Sequence, residues 1–172
     1  MSEQSKSAAG RSPYLAAGLG IGALFLLADL VSKWWVMKVF DLPSQGRINI
    51  FPHFDMVFVL NRGVSYGMFT QDSQSGQWFL IAFAMVAATA LMFWLVKAES
   101  RLVALALGLI ISGAIGNSID RALYGGVVDF ISLYAFDFYW YVFNIADVAI
   151  VAGVAGLIYD SIWPSRSGTD SN

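Results

Sequence analysis

Four long stretches of the 172-residue chain carry almost no charge, and they constrain the fold more than any other feature. Each is close to the roughly 20 residues that an α-helix needs to cross about 30 Å of hydrocarbon. Charged residues make up 13% of the chain, whereas a soluble domain has about 25%. The sequence therefore predicts an integral membrane protein, an all-α bundle of four transmembrane helices. The spans are expected at about 14–36, 78–96, 102–121 and 139–163.

The composition also excludes several classes of site. The net charge is −2, so the chain has no basic surface for nucleic acid. It has no cysteine, which excludes disulfides and thiolate metal ligands. Its single histidine, His53, cannot form a histidine-rich metal site. We expect no metal and no cofactor, and we expect a monomer whose partners include membrane lipids.

The segment 41–76, between the first two spans, differs from the rest of the chain because it is rich in glycine and proline. Alternating and β-branched residues lie between these turn formers at 47–51 and 56–60, a pattern typical of short strands. The segment predicts a small β-sheet outside the membrane. The spans and this sheet form one membrane domain at 13–163, and the polar ends, 1–12 and 164–172, are predicted to be tails.

The positive charges indicate the orientation of the bundle. One group lies in short segments close to the span ends, where the positive-inside rule has most force. This group consists of Lys6, Arg11, Lys97, Arg101 and Arg166. The other group, on the opposite side, consists of Lys38, Arg47, Arg62 and Arg121. Both termini are therefore expected to be cytoplasmic, with segment 41–76 on the outer face.

Polar and charged residues gather at one end of the predicted bundle. With the helices alternating in direction, the outer ends of three spans and the connection before the fourth contribute to this group. Its members are Asp29, Lys33, Asn117, Asp120, Arg121, Asp129, Asn144 and Asp147. Ionisable groups at membrane depth cost several kcal/mol unless they are paired or hydrated, and they usually face a site. The pattern predicts a polar pocket that opens toward the outer leaflet.

Some of these charges have structural explanations. Asp29 and Lys33 are four residues apart, with the acid first, which favours an ion pair within one helix. Asp120 and Arg121 are adjacent and are read as an orienting pair. Asp129 and Asp147 differ, because neither has a cation nearby in sequence. Two carboxylates in a partly dry site can share one proton, so that one acts as general base and the other as general acid.

Three other interpretations remain open on the residues alone. Asp129 and Asp147 could form the proton relay of a transporter, although the polar residues do not gather at mid-membrane. Lys33 could activate a serine in a Ser/Lys protease. The serines considered are Ser32, Ser65, Ser118 and Ser132. A purely structural membrane protein is the third possibility, and it leaves Asp147 unexplained.

Five short blocks, in order along the chain, resemble the bacterial lipoprotein signal peptidase family, also called signal peptidase II. The blocks are Asp29-Leu-Val-Ser-Lys33, Asn61-Arg-Gly63, Gly113-Ala-Ile-Gly-Asn117-Ser-Ile-Asp120-Arg121, Val127-Val-Asp129-Phe130 and Phe143-Asn144-Ile-Ala-Asp147. The resemblance implies four transmembrane helices, a periplasmic β-sheet cradle and a short periplasmic helix.

The resemblance also implies an activity and a site. It implies an aspartic endopeptidase of the bacterial inner membrane, with its active site toward the periplasm. The substrates are lipoprotein precursors, cleaved just before a cysteine that carries diacylglycerol. Asp129 and Asp147 match the catalytic pair. The positions matched to substrate binding or support of the pair are Asn61, Gly63, Asn117, Arg121 and Asn144, while Asp29, Lys33 and Asp120 are structural.

Overall fold

A computed structural model describes residues 11–63, 74–136 and 138–163. Four of the described helices are long and apolar enough to cross a membrane. The first begins as α1, Leu15–Trp34, and continues through a π-helical turn, Trp35–Val39; the others are α3, Gln74–Val96, α4, Arg101–Tyr124, and α5, Ile145–Ile162. The prediction of a four-span membrane bundle is confirmed. Of the predicted tails, 1–12 and 164–172, the residues 1–10 and 164–172 lie outside the described part of the chain. Ser12 is described, is buried and donates its backbone N–H to the carbonyl of Val96, so it belongs to the bundle and not to a tail.

Helix α4 lies at the centre of the bundle, and α1, α3 and α5 all pack against it. Small residues allow this close packing. A Cβ on Gly108 would clash with the carbonyl of Gly18 in α1. A Cβ on Gly153 of α5 would lie 2.5 Å from the carbonyl oxygen of Ala106. Backbones that approach this closely let polar side chains of different helices meet, as the site requires.

A small antiparallel sheet covers the end of the bundle where α4 ends and α5 begins. Its strand order is β1-β2-β3-β4. The strands are β1, Ile48–Phe51, β2, Phe54–Asn61, β3, Val127–Ala135, and β4, Phe138–Tyr139. A short helix, α2, Leu42–Gln45, precedes β1. Val36, Leu42 and Phe130 form a buried cluster that fixes the sheet to the end of the first helix.

The first two strands of the sheet agree with the prediction from the sequence, and the last two do not. The two predicted strands in segment 41–76 are β1 and β2. Strands β3 and β4 come from the connection between α4 and α5, where no strand was predicted. The fourth span was expected to begin at about 139, but α5 begins at Ile145. The aromatic residues before Ile145 raise the hydropathy of this segment, yet Phe143 pairs with Ile131 of β3 through backbone hydrogen bonds.

Candidate active site

Asp129 lies in β3, opposite Val59 of β2, and its side chain is buried. Its Oδ1 accepts a hydrogen bond from the side-chain amide of Asn144 at 2.6 Å. Its Oδ2 accepts one from the side-chain amide of Asn61 at 3.0 Å. Asn61 is held in turn by the backbone N–H of Gly63, which donates to its Oδ1 at 3.0 Å. Gly63 has a φ of +116°, a conformation that favours glycine.

Asp147 lies in the first turn of α5, where Asn144 is the N-cap. The two residues form a capping box, in which each side chain accepts the backbone N–H of the other. Asp147 Oδ2 accepts from Asn144 N at 3.2 Å, and Asn144 Oδ1 accepts from Asp147 N at 2.9 Å. Asp147 Oδ1 accepts from the side-chain amide of Asn117 in α4, at 2.9 Å. A carboxylate here is also favoured by the positive end of the α5 dipole.

Asn144 therefore contacts both carboxyl groups of the predicted pair, one through its side chain and the other through its backbone. The donors to the four carboxyl oxygens are neutral amides from Asn61, Asn117 and Asn144. Burial raises the pKa of Asp129 to about 6, and the nearby charge of Asp147 also raises it, while the amide hydrogen bonds oppose the shift. The surroundings of Asp129 thus favour its protonated form more than water does.

Lys33 is buried behind the pair and joins α1 to α4. Its Nζ lies 2.7 Å from Asp29 Oδ2 and 2.7 Å from Asp120 Oδ2. The predicted Asp29–Lys33 pair is confirmed. The interpretation of Asp120 and Arg121 as a pair is wrong, since the ion-pair partner of Asp120 is Lys33. Successive side chains on a helix point in different directions, so adjacent residues rarely face each other.

The two acids paired with Lys33 also position the elements that carry the catalytic candidates. Asp29 Oδ1 accepts the backbone N–H of Ala146, in the first turn of α5, at 2.9 Å. Asp120 Oδ2 accepts the backbone N–H of Val128, the residue before Asp129, at 3.0 Å. A Cβ on Gly116 would lie 2.7 Å from Asp29 Oδ2, so the absence of a side chain there makes room for the carboxylate. These bonds fix the start of α5 and the start of β3 relative to each other.

Arg121 lies beside the pair at the end of α4. One terminal nitrogen of its guanidinium donates to the backbone carbonyl of Asn117 at 3.1 Å. Its buried Nε has no hydrogen-bond partner among the described residues. Arg121 and Arg62 line a cavity of about 290 Å³, together with Gln74 and Gln77 at the start of α3. This cavity provides cationic and amide groups next to the carboxylates.

The serine alternative does not fit the described geometry. Ser32 donates to the carbonyl of Asp29, and Ser118 donates to the carbonyl of Ala114. Ser132 is buried and accepts from Arg47. Within the described part of the chain, the polar partners of Lys33 are two aspartates and an asparagine. Ser65 lies outside the described residues.

All the predicted site residues except Asp29 and Asp120 lie in direct hydrogen-bond contact with the pair or with a residue that contacts it. Sequence reasoning missed two features. One is strand β3, which carries Asp129. The other is an apolar groove of about 390 Å³ that begins at Asp147 and is lined by Trp140 and Phe143. The aromatic run before α5 was the available signal. No cluster of three or more potential metal ligands occurs in the described residues.

Comparison with known proteins places this arrangement among membrane peptidases. A family model described as signal peptidase (SPase) II matches residues 21–163. A lipoprotein signal peptidase of Methylobacterium sp. (strain 4-46) is 46% identical over 154 residues, which cover 90% of this chain and 93% of that protein. A lipoprotein signal peptidase of Methylorubrum extorquens (strain PA1) is 50% identical over 148 residues, covering 84% and 86%.

Solved structures show the same fold. A bacterial membrane enzyme determined by the in meso method at 2.3 Å resolution aligns with a TM-score of 0.77 at 23% identity, covering 95% of this chain and 98% of its own. A second, at 1.9 Å resolution, aligns with a TM-score of 0.75 at 24% identity, covering 91% and 98%. The four-helix bundle with its sheet is therefore common to these proteins.

Proposed function

The chain belongs to the signal peptidase II family, and we propose that it removes the signal peptide from lipoprotein precursors by aspartic-protease chemistry at Asp129 and Asp147. The substrate class follows from the relatives, which are named lipoprotein signal peptidases. The chemistry rests on one observation above all. Asn144 holds both carboxyl groups in one hydrogen-bonded unit in which neutral amides are the direct donors.

The reaction begins with one carboxyl protonated and the other ionised. Asp129 is suited to hold the proton because burial raises its pKa to about 6. Asp147 is suited to be the base because the N-terminal end of α5 favours its negative charge. Asp147 takes a proton from water, the water oxygen bonds to the carbonyl carbon, and Asp129 donates its proton to the carbonyl oxygen.

The tetrahedral intermediate then breaks down. Asp129 takes back the hydroxyl proton as the carbonyl re-forms, and Asp147 gives its proton to the leaving nitrogen as the C–N bond breaks. The products are the signal peptide, with a new carboxyl terminus, and a lipoprotein whose lipid-bearing cysteine has a free amino group. The pair returns to its initial protonation state, so the cycle needs neither a covalent intermediate nor a metal ion.

The neighbouring amides and guanidinium have supporting roles. Asn61 and Asn117 keep the two carboxyl groups oriented. Arg121 adds positive charge beside the pair, and with Arg62 it lines the neighbouring cavity. Pre-organised donors of this kind stabilise charge that develops in the transition state. We assign Gly63 to the same group because its N–H orients Asn61.

We also propose that the protein lies in the bacterial inner membrane with the sheet and the site on the periplasmic side. The turn between α3 and α4 then faces the cytoplasm, as Lys97 and Arg101 at the span ends favour. A site that opens toward the outer leaflet suits a precursor that is held in that leaflet by its acyl chains.

The proposal is tested by incubating purified protein with a diacylglyceryl-modified precursor and, in parallel, with the same precursor lacking the lipid. We expect release of the signal peptide only from the lipidated form. Activity should survive a metal chelator and alanine substitution at Ser32 or Ser118. Loss of cleavage in a folded serine variant would replace the aspartic mechanism with a serine mechanism, and equal cleavage of both precursors would remove the lipid requirement.

A further inference from the structure

A cavity of about 290 Å³ lies next to the catalytic pair, between the start of α3 and the end of α4. Arg62 and Arg121 line it, together with the amide side chains of Gln74 and Gln77. Among the described residues that line the cavity, none is acidic. Gln74 is also the first residue of α3, so the positive end of that helix dipole lies at the same place. The lining therefore favours an anion.

Both arginines of the cavity adjoin residues that hold the catalytic pair. Arg62 directly follows Asn61, whose side-chain amide donates to Asp129 at 3.0 Å. The other arginine donates to the backbone carbonyl of Asn117 at 3.1 Å, and the side-chain amide of Asn117 donates to Asp147 at 2.9 Å. On each side a single asparagine thus separates a cationic residue of the cavity from a carboxyl group of the pair. A group that forms at the pair can reach the cavity without leaving the site.

The cationic lining is fixed to the helices around it. Gln77 is buried, and its side-chain amide donates to the backbone carbonyl of Arg62 at 2.6 Å, which ties the end of β2 to α3. The Nε of Arg121 is buried and has no hydrogen-bond partner among the described residues. A buried donor without a partner costs free energy, and an acceptor bound in the cavity would remove that cost.

The reaction itself forms an anion beside this cavity. Hydrolysis leaves the signal peptide with a new C-terminal carboxyl group, which is ionised at neutral pH because its pKa is about 3.5. The uncleaved precursor has a neutral amide at the same position. The new charge forms next to Asp129 and Asp147, and the pair carries a negative charge of its own that repels it. A charge at membrane depth is costly unless it is paired or hydrated, and the two arginines can pair with this one.

We propose that the cavity binds the new C-terminal carboxylate of the cleaved signal peptide, with Arg62 and Arg121 as its cationic partners. The inference rests on the proposed function, because that reaction produces the carboxylate. Guanidinium groups bind carboxylates through charge-assisted hydrogen bonds. Trp78 and Tyr124 also line the cavity, and these residue types are enriched at the membrane–water interface. The carboxylate therefore lies at the interface while the apolar part of the peptide stays in the hydrocarbon, and the pair is free for the next precursor.

The first test compares two synthetic signal peptides that differ only at the C-terminus, where one has a carboxylate and the other a carboxamide. Each peptide is added as an inhibitor while the purified protein cleaves a lipidated precursor in detergent at neutral pH. The carboxylate peptide should inhibit about tenfold more strongly than the carboxamide, as expected for a hydrogen-bonded charge. Equal inhibition by the two peptides would overturn the inference.

The second test assigns this preference to the cavity. Arg62 is exposed and partly screened by water, so Arg62→Gln should reduce the ratio of the two inhibition constants about threefold. Arg62→Lys, which keeps the charge, should retain most of the ratio. The matched control is Arg47→Gln, which removes the same charge from the sheet, where Arg47 pairs with Asp55. An unchanged ratio in Arg62→Gln, or an equal loss in Arg47→Gln, would mean that the cavity does not bind the carboxylate.

The outcomes separate this inference from the function on which it rests. If the unsubstituted protein cleaves no lipidated precursor, the proposed function is wrong and the inference is wrong with it. If the protein cleaves the precursor but does not distinguish the two peptides, only the inference is wrong. Short-chain phosphatidylglycerol is a third inhibitor, because a lipid phosphate is another anion at the interface. Inhibition by this lipid that equals that of the carboxylate peptide, and that is lost in Arg62→Gln, would assign the cavity to a phospholipid headgroup instead.

Discussion

Asn144 donates its side-chain amide to Asp129 at 2.6 Å, the shortest of the described hydrogen bonds to either catalytic candidate. The same residue begins α5 and accepts the backbone N–H of Asp147. The side chain of Asn144 thus sets where α5 starts. It also sets how far Asp147, in the first turn of α5, lies from Asp129 in β3. Helix capping and active-site assembly are the same interaction here, so a change at Asn144 alters stability and activity together.

The first prediction separates these two effects. Asn144→Ala should lower the stability of the protein by about 0.5–2 kcal/mol, as loss of an N-cap does. It should reduce kcat at least about a hundredfold, because Asp129 loses its side-chain amide donor and the first turn of α5, which carries Asp147, loses its cap. Ser100→Ala removes the N-cap of α4, whose hydroxyl accepts from Val103, far from the site. The stability of both variants is measured by thermal unfolding and their activity by the rate of cleavage, both in detergent. We expect similar losses of stability in the two variants, with activity retained only in Ser100→Ala. If the two variants lost activity equally, the role of Asn144 would be limited to capping α5.

The second prediction concerns the pair itself. Asp129→Asn and Asp147→Asn keep the size of each side chain but remove the ionisable carboxyl, and general acid–base steps are each worth roughly 10²- to 10⁴-fold. Because the two residues act as one unit, either change should remove nearly all activity and the double change should remove little more. Asp41→Asn, at an exposed position, is the control and should remain active. Substantial turnover by either single variant, with a normal elution profile, would show that the pair is misassigned.

The third prediction concerns the buried ion pairs behind the site. Lys33→Met leaves Asp29 and Asp120 buried without their cation, and breaking a buried pair in this way costs about 3–5 kcal/mol. Arg47 pairs with Asp55 in the sheet but is 44% exposed, so water screens that pair. Unfolding midpoints should therefore fall much further for Lys33→Met than for Arg47→Met. Equal shifts would mean that water reaches Lys33.

The fourth prediction concerns orientation. Since the chain has no cysteine, single cysteines can be introduced without background. Ser44, at the sheet end, and Glu99, in the turn between α3 and α4, are both exposed. A membrane-impermeant maleimide added to intact cells should label Ser44→Cys and should label Glu99→Cys only after lysis. The reverse pattern would invert the proposed topology and put the site at the cytoplasmic face.

The sequence predicted the bundle well because each span is a long apolar run, and the local strand pattern was sufficient for β1 and β2. It could not place β3, since this strand forms by pairing with β2, more than 60 residues earlier in the chain, and β4 forms by pairing with β3. The same limit explains the misread Asp120. Its partner Lys33 is on another helix, so that no local spacing indicates the contact. Asp129 and Asp147 were identified from short motifs. The hydrogen bonds that join them through Asn144 depend on where α5 begins, which the motifs do not indicate.

The last prediction follows from the environment of Asp129. Burial raises its pKa to about 6, and the hydrogen bond from Asn61 opposes that rise because it favours the ionised form. If the pair works with one proton, kcat/KM should fall as the pH rises through about 6, with apparent pKa values that belong to the pair. Asn61→Ala removes the opposing bond, so the pKa should rise further and the falling limb should move to higher pH.

A matched control exists in the sheet, where Asn49 donates to Asp55 at 2.8 Å in the same way but away from the pair. Asn49→Ala should leave the falling limb where it is in the unsubstituted protein. The measurement is kcat/KM for a lipidated precursor between about pH 4 and 9, with elution profiles to establish folding at each pH. A limb that moves to lower pH in Asn61→Ala would mean that Asn61 stabilises the protonated form. That result would contradict the opposing effect assigned to its hydrogen bond with Asp129. A limb that stays in place in Asn61→Ala would mean that the falling limb belongs to a group other than Asp129, and the assignment of the shared proton to Asp129 would then be wrong.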